Sequence, residues 1–222
     1  MSEDLPKWTH RLPRNLAVIL ALGCAGAVAG VAHYFTPKYT QAGYTPRQPV
    51  AFSHKTHSAQ AGIDCRHCHT SVEKDARAGL PATRSCMSCH GQILKGDPRL
   101  ELLRERAAAS APIPWVRVHR LPDYVFFNHA VHTRRGVGCV ECHGRVDQMD
   151  ETRQAQPLSM SFCLDCHKDP AGRLRPLDQV FSMSWAPPTN SAQLQNARLE
   201  LGTNLARSWA IKPGQNCAAC HR

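Results

Sequence analysis

The chain has 222 residues, enough for one or two domains, yet only 6% are aromatic, while 11 are Cys, 13 are His and 16 are Pro. With 42% hydrophobic and 20% charged residues, the composition argues against long disorder, and so small an aromatic supply points to buried mass contributed by cofactors. The formal charge of +10, from 27 basic against 17 acidic residues, invites a nucleic-acid reading, which the cysteines displace.

From the amino terminus, Leu16 to Phe35 is a run of twenty residues free of Asp, Glu, Lys and Arg, long enough to cross a bilayer as a helix. Lys7, Arg11 and Arg14 precede it, so the positive-inside rule places residues 1–15 in the cytoplasm and everything after Phe35 outside it. A cleaved signal peptide is the competing reading, although its apolar region is usually shorter. Ala21-Leu22-Gly23-Cys24 resembles a lipoprotein cleavage site only weakly, because the apolar stretch continues past Cys24. Gly26 and Gly30 form a small-x-x-x-small pattern that lets helices approach closely in lipid. Residues 36–50, with Pro37, Pro46 and Pro49, read as an extended linker.

Ten of the cysteines then fall into five identical words: Cys65-Arg-His-Cys68-His69, Cys86-Met-Ser-Cys89-His90, Cys139-Val-Glu-Cys142-His143, Cys163-Leu-Asp-Cys166-His167 and Cys217-Ala-Ala-Cys220-His221. Each is C-x-x-C-H, the attachment signature of c-type haem: two thiols form thioethers on the porphyrin vinyl groups and the adjacent imidazole reaches iron from one face. A zinc ribbon does not need His after each Cys pair, and a thioredoxin-like site needs one pair in a βαβ setting. Five covalent haems are expected, with His69, His90, His143, His167 and His221 as proximal ligands. Candidate distal ligands are His54, His57, His119, His129 and His132, as many as there are words; Met149, Met160 and Met183 compete for one position. His67 lies inside a word and points away from its own iron, and His10 and His33 lie in or before the apolar segment.

The words come in two related units, 51–95 and 115–170, followed by a fifth word at 217–221. Phe52-Ser-His54-Lys-Thr-His57 precedes the first, its last His eight residues before Cys65; Phe127-Asn-His129-Ala-Val-His132 precedes the second, its last His seven before Cys139. Val72-Glu73 and Val146-Asp147 continue the match. His at i and i+3 project from one helical face at different heights, so such a pair can cap two neighbouring haems. Between the units, Asp97 as N-cap and Pro98 at N1 predict a helix through Leu100, Leu102, Leu103 and Arg104 to about Ala109, stopped by Pro112 and Pro114. Residues 182–190 read as a loop, and 191–205 as a helix interrupted at Gly202. Strands are hard to find, so the expected fold is a multihaem cytochrome c: mostly coil with short α-helices wrapped around five haems, plus one N-terminal transmembrane helix.

The F-x-H-x-x-H element before C-x-x-C-H resembles the small multihaem cytochromes of sulfate reducers, in which the first His caps the haem that follows and the second caps another. Gly62-Ile-Asp-Cys65, Cys86-Met-Ser-Cys89-His90-Gly, Val118-His119-Arg-Leu-Pro-Asp-Tyr-Val, Gly136-Val-Gly-Cys139, Cys142-His143-Gly-Arg-Val146-Asp147-Gln-Met149 and Pro157-Leu-Ser-Met160 are together similar to the pentahaem cytochrome subunit (ActA) of alternative complex III, over most of residues 45–222. That resemblance implies an electron-transfer subunit of a quinol-oxidising respiratory or photosynthetic complex. It would sit on the periplasmic side of a bacterial inner membrane with a single span, beside an iron–sulfur subunit, integral membrane subunits and a monohaem cytochrome c. It implies no nucleic-acid partner and no catalysis by the chain alone, and it allows one haem to be His/Met. Two other functions compete with this one. A multihaem nitrite or hydroxylamine reductase needs an open iron position and usually a C-x-x-C-K word, which is absent here; a self-contained quinol dehydrogenase places its first word close to the membrane helix, whereas thirty residues separate Phe35 from Cys65.

Overall fold

The computed structural model describes residues 11–34 and 41–221. The expected cytoplasmic tail up to residue 10, Phe35 at the end of the apolar run, and linker residues 36–40 lie outside the described residues. The chain divides into two units, 1–41 and 42–222.

In the first unit, helix α1 runs from Leu12 to Tyr34. Its 23 residues are long and apolar enough to cross a bilayer, a property shared by a membrane anchor and by the apolar part of an export signal. None of its residues is buried by other protein atoms.

The second unit is built of short helices and coil. Its α-helices are α2 (Cys65–Cys68), α3 (Thr83–His90), α4 (Glu101–Ala108), α5 (His129–Arg134), α6 (Cys139–His143), α7 (Met160–Lys168), α8 (Leu194–Ser208) and α9 (Cys217–Cys220). Among the described residues there is no named strand, only two isolated antiparallel bridges, Val125 to His221 and Val137 to Leu174. Side-chain caps explain where several helices begin: Asp64 accepts from the Arg66 amide, Asn128 from Val131, Ser159 from Phe162 and Asn216 from Ala219, each satisfying a first-turn N–H that has no partner within the helix. Asp97 caps a 3₁₀ turn, Pro98–Leu100, that leads into α4 with Pro98 in its first turn, as the sequence suggests. Packing of α3 against α4 forms a small apolar cluster of Val50, Leu103 and Ile113, with Met87, Leu102 and Trp115 at its border.

The segment 43–50, a turn at Gly43 followed by irregular backbone, is tied down. Gly43 N–H donates to the Gln154 carbonyl and Gln154 N–H to the Tyr44 carbonyl, while the Gln48 amide pairs with both backbone groups of Val116. Helix α8 runs unbroken through Gly202, contrary to the interruption expected there. A Cβ at 202 would collide with the Ala171 carbonyl, so this glycine serves close packing of α8 on the 3₁₀ turn Ala171–Arg173. The largest fully buried side chains are Arg175, Gln154 and Val180, two of them polar, which shows how little conventional core this chain makes.

Candidate haem sites

Every word lies on a helical turn with its two cysteines at i and i+3, adjacent on one face. In the first, third and fifth words the turn is little more than the word itself, α2, α6 and α9. In the second and fourth it is the C-terminal part of a longer helix, α3 and α7. None of the eleven cysteines is in a disulfide, and Cys24 is exposed on α1. Among the described residues no group of three or more His, Cys, Asp or Glu closes round an ion, the arrangement a zinc site needs.

The histidines meet in pairs. His54 and His69 have ring centroids 6.5 Å apart and planes 8° from parallel; His129 and His143 repeat this at 6.4 Å and 11°. The second histidine of each F-x-H-x-x-H element reaches the next word along the chain: His57 lies 6.1 Å from His90 with planes at 64°, and His132 lies 6.2 Å from His167 at 40°. Two imidazoles binding one metal from opposite sides at about 2.0 Å, the usual metal–nitrogen distance, hold their centroids about 6 to 6.5 Å apart. The residues therefore fit a six-coordinate haem iron between the rings of each pair.

Hydrogen bonding presents the correct ring nitrogen. The Nδ1 atoms of His69, His90 and His167 meet the carbonyls of Gly79 (2.8 Å), Ile93 (3.2 Å) and Gly214 (2.7 Å). Those of His57, His129 and His132 meet the carbonyls of Ser53, Ala76 and Asn128 at 2.7 to 2.8 Å, and that of His54 meets the Thr152 hydroxyl at 2.9 Å. A proton held on Nδ1 leaves the Nε2 lone pair free for metal, the usual outer-shell device at histidine ligands. Phe52 stacks on His57 and meets His54 edge-on, and Phe127 does the same with His132 and His129 at nearly the same distances and angles. The two halves differ in the turn that carries the two histidines. The extra residue between His57 and Cys65 is absorbed by a π-helical turn, Lys55–Gln60, where the second half has α5; a single π turn is how a helix accommodates an insertion.

The remaining candidates lie elsewhere. His119 has its Nε2 3.3 Å from Nδ1 of His143, and the ring found beside His221 is that of Tyr124, at 5.7 Å. Met149 and Met183 are buried among protein atoms, whereas Met160 at the start of α7 is 67% exposed. His67 is exposed in the first word.

A family model described as cytochrome c7 and related cytochrome c matches residues 50–100 and 125–222. The chain belongs to this family. It is also similar to the multihaem cytochrome c subunit of a menaquinone reductase from Nitratidesulfovibrio vulgaris, 40% identical over 125 residues that make up 56% of this chain and 53% of the relative. The chain thus spans about half the length of that curated relative. As a multihaem cytochrome c it carries covalently bound haem c, and its role is electron transfer.

Electrostatics in this cytochrome suit the imidazoles to bind metal. Burial first, then neighbouring imidazoles, lowers the pKa of His54 to about 4 and that of His143 to about 3. Burial also lowers His119, and lowers His129 and His132 against the opposing pull of their carbonyl partners. These rings are neutral at physiological pH, the form in which imidazole binds metal. Burial pushes the Cys139 thiol up to about 12 and Cys142 to about 11, and raises Cys65, Cys68, Cys86, Cys163 and Cys166 in the same direction. After burial, the thiols feel the neighbouring word: Cys68 that of Cys89, Cys139 that of Cys65, Cys142 those of Cys166 and Cys163, and Cys163 that of Cys220. Thiols of the second and first words, of the first and third, of the third and fourth, and of the fourth and fifth thus neighbour one another.

Sequence reasoning missed the residues that support this arrangement. Thr152 is 98 positions from His54, and Arg175, whose guanidinium meets Glu141 inside the third word at 2.5 Å, stands in no recognisable motif.

Proposed function

We propose that this chain is a membrane-anchored pentahaem electron relay, with α1 as a single span in a bacterial inner membrane and residues 51–222 as a periplasmic haem domain. In this reading the ten paired cysteines hold five haems, and His69, His90, His143, His167 and His221 are the proximal ligands. His54, His57, His129 and His132 complete the first, second, third and fourth irons. The observation that carries the reading is the set of four histidine ring pairs at 6.1 to 6.5 Å. For the fifth site, Met160 is the methionine with an open thioether; it lies three residues before Cys163, whose thiol neighbours Cys220.

Haem c, when bound, supplies one-electron iron chemistry; the protein supplies ligand identity, spacing and dielectric. A row of words in which each adjoins the next is the arrangement of a wire rather than of a substrate pocket, and the four closed ring pairs leave no coordination position open at those sites. The chain then acts as an electron-transfer subunit and is not catalytic by itself. Its resemblance to the alternative complex III subunit supports a place in a quinol-oxidising complex, taking electrons from an iron–sulfur subunit and passing them to a monohaem cytochrome or a terminal acceptor. The menaquinone reductase relative favours a second reading, in which the same row delivers electrons toward a quinone.

Mild-detergent isolation from membranes with mass spectrometry tests the proposal. Five haem equivalents on the chain, retention of residues 1–35 and co-purification of iron–sulfur and integral membrane subunits are expected; a solitary soluble cytochrome overturns it. Incubating that complex with a reduced quinone analogue, and separately its reduced form with oxidised quinone, decides the direction of flow.

A further inference from the structure

His143 is held differently from the other proximal histidines whose partners are seen. Where His69, His90 and His167 turn Nδ1 to a backbone carbonyl, His143 turns it to a nitrogen base, Nε2 of His119 at 3.3 Å, with the two rings 4.4 Å apart and nearly perpendicular. If Nε2 of His143 faces metal opposite His129, the remaining ring proton must sit on Nδ1, and this fixes the direction of the bond: His143 Nδ1–H donates and His119 Nε2 accepts. A lone pair so engaged is not available to an iron. The chain path delivers His119 to this place because Gln48 clamps Val116 through both its backbone groups and Arg117 Nε donates to the His119 carbonyl at 3.0 Å. His119 lies in the stretch 101–124, between the two segments that match the family.

We propose that His119 is a positioning residue for the third haem, accepting the Nδ1 proton of His143 and thereby giving that iron a lower reduction potential than a carbonyl partner would. The proposal rests on the ligand reading above. A strong acceptor at Nδ1 gives the ring imidazolate character, which makes Nε2 a better donor and stabilises ferric over ferrous iron. Imidazole is a stronger base than a peptide carbonyl, so the third site is set apart from the first, second and fourth. Its position in the middle of the row makes that consequential: the sensitivity of His143 to His54 and His69 as well as to His129 places it where the two duplicated units meet.

The test uses the full chain matured with haem, as parent, His119→Leu, His119→Gln and His129→Leu. Covalent haem is counted by intact mass, spin state is read by ferric electron paramagnetic resonance, and potentials by optical titration. In His119→Leu the haem count and the low-spin signals are expected to stay, while one component shifts so that its ferrous-to-ferric ratio at fixed ambient potential rises about tenfold, about 59 mV for one electron. His119→Gln, which offers an amide carbonyl in place of the imidazole, returns only part of the shift, and full return to the parent potential overturns the claim that the imidazole lowers the potential below a carbonyl's. A new high-spin haem in His119→Leu overturns the proposal by making His119 a ligand, as do unchanged potentials in both variants. His129→Leu separates this from the reading beneath it. A high-spin haem there with unmoved potentials in His119→Leu sinks the proposal alone, whereas no high-spin haem in His129→Leu sinks both.

Discussion

Replacing Arg175 by Ala should be among the most damaging single changes outside the haem ligands. The side chain is 2% exposed; Nη2 donates to Glu141 Oε1 at 2.5 Å, Nη1 to the Ser182 carbonyl at 3.0 Å, and the guanidinium sits 5.4 Å from the Trp185 ring. Neighbouring backbone is shaped to it: a Cβ at Gly138 would collide with the guanidinium, and one at Gly136 would meet the Trp209 ring at 2.7 Å. Truncation leaves the Glu141 carboxylate poorly solvated, with its side chain only 16% exposed, inside the third haem word. Removing one partner of a buried ion pair costs about 3–5 kcal/mol, against a total stability of about 5–15 kcal/mol for an ordinary domain. Replacing both partners with apolar residues avoids the stranded charge, so the double variant Arg175→Met with Glu141→Met should recover more than half of the loss. Urea unfolding of the haem-loaded chain, followed by release of haem quenching of Trp185 and Trp209, measures this, and intact mass reports whether the third word still acquires its haem. An Arg175→Ala midpoint equivalent to a loss below about 1 kcal/mol, or a double variant no better than the single, would refute the keystone role.

The ring planes carry a spectroscopic consequence: near-parallel pairs His54/His69 and His129/His143 should give rhombic low-spin ferric signals. The more crossed pair His57/His90 should give a signal with a larger leading g value, because crossed imidazoles bring the iron dxz and dyz orbitals closer to degeneracy. His57→Leu should remove that signal and leave the rhombic ones, and loss of a rhombic signal instead would contradict the pairing. Asp147 is held below the usual carboxylate range, mainly by hydrogen bonds from Arg145. Its folded pKa lies below its unfolded value near 3.8, so its contribution is complete above that value and is lost as pH falls through the folded pKa. Asp147→Asn should therefore lower stability at pH 6 and narrow the gap to the parent toward pH 3, and parallel urea midpoints across that range would disprove the linkage. Gly202→Ala should destabilise by about 1–3 kcal/mol through overpacking against Ala171, and a thermal midpoint equal to the parent's would show that α8 can shift without cost.

The five words were legible because thioether attachment is a sequence-local reaction: two thiols one helical turn apart and the next imidazole are all it requires. The two F-x-H-x-x-H elements were legible as paired histidines for a similar reason, since His at i and i+3 share a face whatever the chain does afterwards. Which word each histidine reaches depends on where the chain travels next, and here the reading from residues alone stopped. The one-residue difference in spacing between the halves is visible in the sequence, but not that a π turn absorbs it and leaves both Phe–His–His clusters almost superimposable. Gly202 shows the opposite failure. Read locally, glycine interrupts a helix; in the fold it is the residue that lets α8 touch Ala171, a contact between positions 31 apart in sequence. His119 completes the count of five distal candidates, and no local pattern reveals that Gln48 fixes Val116 and that His119 Nε2 lies 3.3 Å from Nδ1 of His143.

Composition and fold now explain one another. Leu80, Ile93, Val131 and Met160 are 55 to 68% exposed in the protein part alone, and all four stand within a few residues of a haem word or of a paired histidine. Apolar side chains held open to water beside attachment sites suit a porphyrin bed: the surface that a conventional domain would cover with Phe, Tyr and Trp is left for macrocycles to cover. The same accounting bears on charge. Each haem brings two propionates, so five would contribute about ten negative charges against the formal +10 and bring the ferrous holoprotein near neutrality. Both the missing aromatics and the missing acids then follow from a chain whose interior is completed by its cofactors, and both should reappear as defects, in exposed apolar surface and excess positive charge, whenever haem attachment fails.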